Sequence, residues 1–163
     1  SIAIPIILLG SDIFFSKDPD HRWTAQILLV GMPFVIWTKK IVKMMKFESF
    51  RRPWHEKYSC EERSYGGFPS GHTAQAMYMT VLYGMRYGPA YAVPLSVMTA
   101  FIGVTFVTCN RHYLSQIIGG AAFGTIYALA ANKVVQAKLT QNVKLGLNVD
   151  YEGRPTLSLA ARW

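Results

Sequence analysis

The sequence predicts an all-α integral membrane protein, a bundle of about five to six transmembrane helices followed by a short extramembrane C-terminal tail. Three observations predict it. Of the 163 residues, 51% are hydrophobic, and the mean hydropathy is +0.18. The apolar residues are gathered into blocks instead of being spread at amphipathic spacing. The two longest blocks, residues 90–108 and 113–131, hold no charged residue at all. Such runs approach the roughly 20 residues that a helix needs to cross the hydrocarbon core.

Five blocks follow in order. Residues 2–15 are short for a span and are broken by Ser11 and Asp12, so a tilted, clipped or interfacial helix is expected. Residues 23–37 continue through Thr38 and are closed by Lys39 and Lys40. Residues 72–87 are less apolar, carrying Thr73, Gln75 and Thr80. Residues 90–108 hold Pro94 near their start, where the missing N–H costs little. Residues 113–131 end at Asn132 and Lys133, and Gly120 and Gly124 within them suit close helix packing. A membrane-embedded domain over 1–133 and a tail over 134–163 are therefore expected. In the tail, Val143, Leu145, Leu147, Val149 and Tyr151 alternate with more polar residues, which reads as a strand. Residues 152–155 look like a turn leading to a second short strand. An isolated hairpin is marginal in water, so the tail is expected to dock, with another membrane protein subunit as the natural partner.

The net charge of +8 does not point to nucleic acid, because the lysines and arginines sit in connectors and in the tail. Anionic head groups or a phosphorylated substrate suit that placement better. The face carrying residues 39–70 and 109–112 has nine Lys and Arg and the opposite face eight, too even to orient the protein in its membrane. Cys60 and Cys109 lack metal-ligand spacing and read as free thiols.

Chemistry is concentrated in two segments, Pro69-Ser70-Gly71-His72 and Arg111-His112-Tyr113-Leu114-Ser115-Gln116. His72 opens the third block and His112 the fifth, so two crossings return the second histidine to the face of the first. Ser70 can cap a helix, Gly71 lets backbone approach a ligand, and free N–H groups at a helix start attract an anion. Lys46, Arg51 and Arg52 stand upstream. Two histidines, cations and an anion-binding helix start are the parts needed to move a phosphoryl group.

The sequence resembles the type 2 phosphatidic acid phosphatase family, whose motifs are K-x6-R-P, P-S-G-H and S-R-x5-H-x3-D. Pro-Ser-Gly-His is intact at 69–72, Arg52-Pro53 follows a lysine, and His112 leads into a Gly-rich helix. The resemblance implies His112 as nucleophile, His72 as general acid, and Lys46, Arg52, Ser70 and Gly71 as holders of the phosphate oxygens. It implies a lipid monoester or pyrophosphate as substrate, a phosphohistidine intermediate, and neither metal nor cofactor. Three positions depart from the pattern. Lys46 is one residue too close to Arg52; Thr105-Phe106 stand at the Ser-Arg pair; Gln116 stands where an aspartate would orient His112. A glutamine accepts a hydrogen bond but cannot stabilise an imidazolium by charge. These departures raise a second expectation, a catalytically degenerate subunit with a structural role in a larger membrane complex.

Overall fold

A computed structural model describes residues 17–54, 64–149 and 155–161. The first apolar block, Cys60 and residues 152–154 of the expected turn lie outside them. Helix α1, Pro19–Met44, starts where Asp18 accepts a hydrogen bond from the Asp20 N–H at 2.9 Å and Pro19 takes the first helical position. It is longer than the apolar block at both ends. Lys39, Lys40 and Lys43 extend it by well over a turn, because lysine is a good helix former and a cation suits the C-terminal dipole. A single 3-10 turn, Glu48–Phe50, follows.

Helix α2, Gly71–Tyr87, and helix α3, Pro89–Thr108, are joined by Gly88 alone, whose φ of 78° lies in the left-handed region that glycine tolerates. After α3 the chain turns through Asn110, also left-handed at φ 51°, and the Arg111 and His112 N–H groups both donate to the Phe106 carbonyl, at 2.8 and 3.1 Å. Helix α4, Leu114–Asn142, then runs about three turns beyond the apolar block. Strands β1, Val143–Val149, and β2, Pro155–Ala161, form the antiparallel hairpin read from the alternation, with Leu145 opposite Leu159 and Leu147 opposite Leu157.

The bundle is apolar outside and partly polar within. Phe34, Trp37 and Ile41 on α1, Val97 and Phe101 on α3, and Ile118 and Ile126 on α4 are exposed. Buried instead are Thr24, Thr73, Thr80 and Thr99. Hydroxyls tie helices together: the buried Thr80 and Thr99 share a hydrogen bond of 2.9 Å between α2 and α3, and the half-buried Thr38 of α1 hydrogen-bonds the Tyr127 hydroxyl of α4. A lipid-facing surface and buried polar ties are what a bilayer, unlike water, rewards. Helices α1, α3 and residues 114–140 of α4 are long and apolar enough to cross a membrane. The protein is an integral membrane helical bundle.

Helix α2 is the inner helix. It has 17 residues and buries Thr73, Ala74, Tyr78, Met79, Thr80, Leu82 and Tyr83 against its neighbours. Close approach of α2 to α4 depends on two glycines: a Cβ at Gly120 would stand 2.5 Å from the Ser70 carbonyl oxygen, and one at Gly124 would stand 2.9 Å from the Tyr78 nitrogen. At the end of the bundle away from the histidines, Arg86 donates to Asp20 Oδ1 from Nε at 3.0 Å and Nη2 at 2.6 Å, pinning α2 to α1.

Candidate active site

His72 sits at the second position of α2, and His112 in the turn that leads into α4. Both imidazoles touch the Phe106 ring, His72 at 5.1 Å between centroids and His112 at 5.6 Å. The two histidines therefore share one face of the bundle, separated by no more than those two distances laid end to end. Their settings differ. His72 is exposed, whereas His112 is buried with 2% of its surface accessible.

Gln116 fixes the tautomer of His112. Its Nε2 donates to the Arg51 carbonyl at 2.7 Å, and its Oε1 accepts the Tyr113 N–H at 3.2 Å. A backbone carbonyl can only accept and a backbone N–H can only donate, so the amide has one orientation. His112 Nδ1, 3.1 Å from Oε1, must then be the N–H, which leaves Nε2 as the nitrogen with the free lone pair. Burial pushes the His112 imidazole down to about 4, and the Arg52 and Lys39 charges add to the effect; the Gln116 hydrogen bond and the Gly67 backbone oppose it. At neutral pH the ring is uncharged.

The predicted site residues are only partly brought together. Ser70 is fully buried at the N-cap of α2, but its hydroxyl bonds the Thr73 hydroxyl at 3.0 Å instead of capping a backbone N–H. The expected side-chain cap is thus absent, because a threonine three residues on offers a competing partner. The Ser70 N–H donates to the Gln116 carbonyl at 3.0 Å, tying Pro-Ser-Gly-His to the His112 turn. Arg52 donates to the Gly66 carbonyl from Nε at 3.3 Å and Nη2 at 3.2 Å, within electrostatic reach of His112.

Lys46 follows α1 with φ 47° and lines a groove with Lys40, Lys43, Met44 and Tyr65. Residues 46–52 do not form one continuous helix. The lysine beside Gly71 is Lys39, which closes an apolar block in the sequence. Its side chain lies against Gly71, where a Cβ would stand 3.0 Å from Lys39 Cδ and 3.4 Å from Nζ. The signal was present: Leu28, Met32 and Val35 form the inward stripe of α1, and the next position at that spacing is residue 39. Arg111 is exposed.

Beside the histidines, an apolar cleft of about 420 Å³ opens between α2, α3 and α4. Thr73, the residue after His72, lines it, as do Gly103, Leu114 and Ile117. The fold and site thus define a helical membrane protein with paired histidines and two cations at one end, next to a cleft that could take a hydrocarbon chain.

Residues 24–139 match the sequence profile of the PAP2 superfamily, and the chain belongs to that superfamily. A lipid A 1-phosphatase of Porphyromonas gingivalis is 37% identical over 62 residues, a stretch that covers 36% of this chain and 14% of that protein. No solved structure matches.

Proposed function

We propose that the chain acts as a lipid phosphate phosphatase or phosphotransferase through a phosphohistidine on His112. The observation that carries this reading is the pair of histidines on one face, one buried, neutral and held by Gln116 with Nε2 unprotonated, the other exposed at a helix start beside Lys39. His112 Nε2 attacks phosphorus, an N–P bond forms, and the P–O bond to the leaving alcohol breaks. His72, as an imidazolium, gives the alcohol oxygen its proton, then regains one from the water that cleaves the N–P bond. Lys39 and Arg52 supply positive charge to the phosphate oxygens, with Ser70 and Gly71 shaping the approach to the helix start. The cleft lined by Thr73 and Leu114 receives a chain of the lipid, which favours lipid monoesters or pyrophosphates over soluble esters. The similarity to a lipid A 1-phosphatase supports a lipid substrate class.

The test is phosphate release by the purified chain in detergent from a panel of phosphatidic acid, phosphatidylglycerol phosphate, a polyprenyl pyrophosphate and lipid A. The wild type releases phosphate from at least one of them and His112→Ala does not. Equal release by both would refute the assignment.

A second reading is a phosphatase-like subunit without turnover, docked through its tail hairpin. It is favoured by Phe106, which sets an apolar ring against both histidines where the family pattern has an arginine. Isolation in a stable complex, with no phosphate released from any lipid of the panel, would select it.

A further inference from the structure

Phe106 is the one residue whose ring touches both imidazoles among the described residues. It is half-buried two residues before the end of α3, and its carbonyl accepts from the two N–H groups that shape the His112 turn. The ring is thereby fixed at the histidines by the backbone that positions one of them.

A phosphate held between His72 and His112 has this ring as a neighbour. Phenylalanine offers no N–H donor, and the face of its ring carries partial negative charge. A dianion placed against it loses water on that side without gaining a hydrogen bond. The nearby cations approach from other sides: Arg52 Nε and Nη2 donate to the Gly66 carbonyl, and the Lys39 side chain lies against Gly71.

We propose that Phe106 is a specificity determinant that holds down the affinity of this site for free phosphate. An ester with an apolar body is affected less, because the cleft beginning at Thr73 and Leu114 supplies binding that inorganic phosphate cannot use. Free phosphate, the product of the proposed reaction, then competes poorly with substrate. The inference rests on the paired histidines forming a phosphate site.

The experiment is isothermal titration of inorganic phosphate and of orthovanadate into the full chain in detergent, for wild type, Phe106→Ala and Phe106→Arg. Helix content by circular dichroism qualifies each variant as folded. Phe106→Ala is expected to bind both anions more tightly than wild type. Phe106→Arg is expected to gain at least about tenfold, as a charge-assisted hydrogen bond provides. Because an added arginine attracts anions wherever it is placed, the alanine variant decides. Affinity equal to or weaker than wild type in folded Phe106→Ala overturns the proposal, whatever the arginine variant does. The outcome is separable from the phosphatase reading, since binding is measured without turnover. Lipid hydrolysis lost in His112→Ala, together with unchanged anion affinity in Phe106→Ala, would leave that reading standing and remove this one.

Discussion

Replacing Gln116 by leucine is the sharpest structural perturbation available, because this one side chain ties together three parts of the site. It is 1% exposed. Its oxygen accepts from the Tyr113 N–H at 3.2 Å and from His112 Nδ1 at 3.1 Å, and its nitrogen donates to the Arg51 carbonyl at 2.7 Å. Leucine keeps most of the volume and strands all three partners. The imidazole can swing to seek another acceptor, but the two backbone groups are fixed. A buried polar group left unsatisfied costs about 1–3 kcal/mol, so the expected loss is about 1–6 kcal/mol, the lower end holding where water reaches the exposed Tyr113. A loss of that size is a large fraction of the roughly 5–15 kcal/mol typical of folded domains. Denaturant unfolding in detergent, followed by circular dichroism, measures it. A Gln116→Leu loss below about 1 kcal/mol would refute the claim that Gln116 is the hub of the His112 turn.

Other consequences follow from the same geometry. In the folded chain His112 should remain the neutral Nδ1–H tautomer from pH 8 down to 5 by ¹⁵N imidazole NMR, titrating near 4; an inflexion near 6.5 would contradict its burial. The unfolded ring takes up its proton near 6.5 and the folded ring only near 4. Its burial therefore contributes fully to stability above 6.5, and that contribution is lost as pH falls from 6.5 towards 4, with a falling melting temperature as the readout. Lys39→Met should weaken phosphate or orthovanadate binding by about tenfold or more, while Lys46→Met leaves it near wild type; the reverse order would restore Lys46 to the site. Gly124→Ala should destabilise by about 1–3 kcal/mol, because its methyl group runs into the backbone of α2; an unchanged melting temperature would show that α2 and α4 can part without cost.

Much of this architecture is written in the sequence through length and periodicity. The uncharged runs marked α3 and most of α4, and alternation at residues 143–149 marked β1, because each pattern has one backbone solution. Helix ends were less visible. Lysines after Thr38 looked like a boundary, yet they continue α1, since a lysine ends an apolar face without ending a helix. That error hid Lys39, whose approach to Gly71 is a tertiary fact that no local pattern displays. His72 and His112 were found because Pro-Ser-Gly-His is a distinctive string and because crossing number fixes their common face. The position of Phe106 against both rings could not be read from spacing, which says which residue follows which but not which rings meet. The hydroxyl pairing of Ser70 with Thr73 was equally hidden, because capping and side-chain pairing compete within the same few residues.

The most direct test is to trap the covalent intermediate by rapid acid-free quench with a lipid bearing a radiolabelled phosphate, then to map the label by peptide mass spectrometry. Label on the peptide that contains His112, absent from His112→Ala and persisting longer in His72→Ala, is the predicted result. Phosphate released in full without any labelled histidine, or label carried by His72 instead, would contradict the assignment of the buried imidazole as the attacking group.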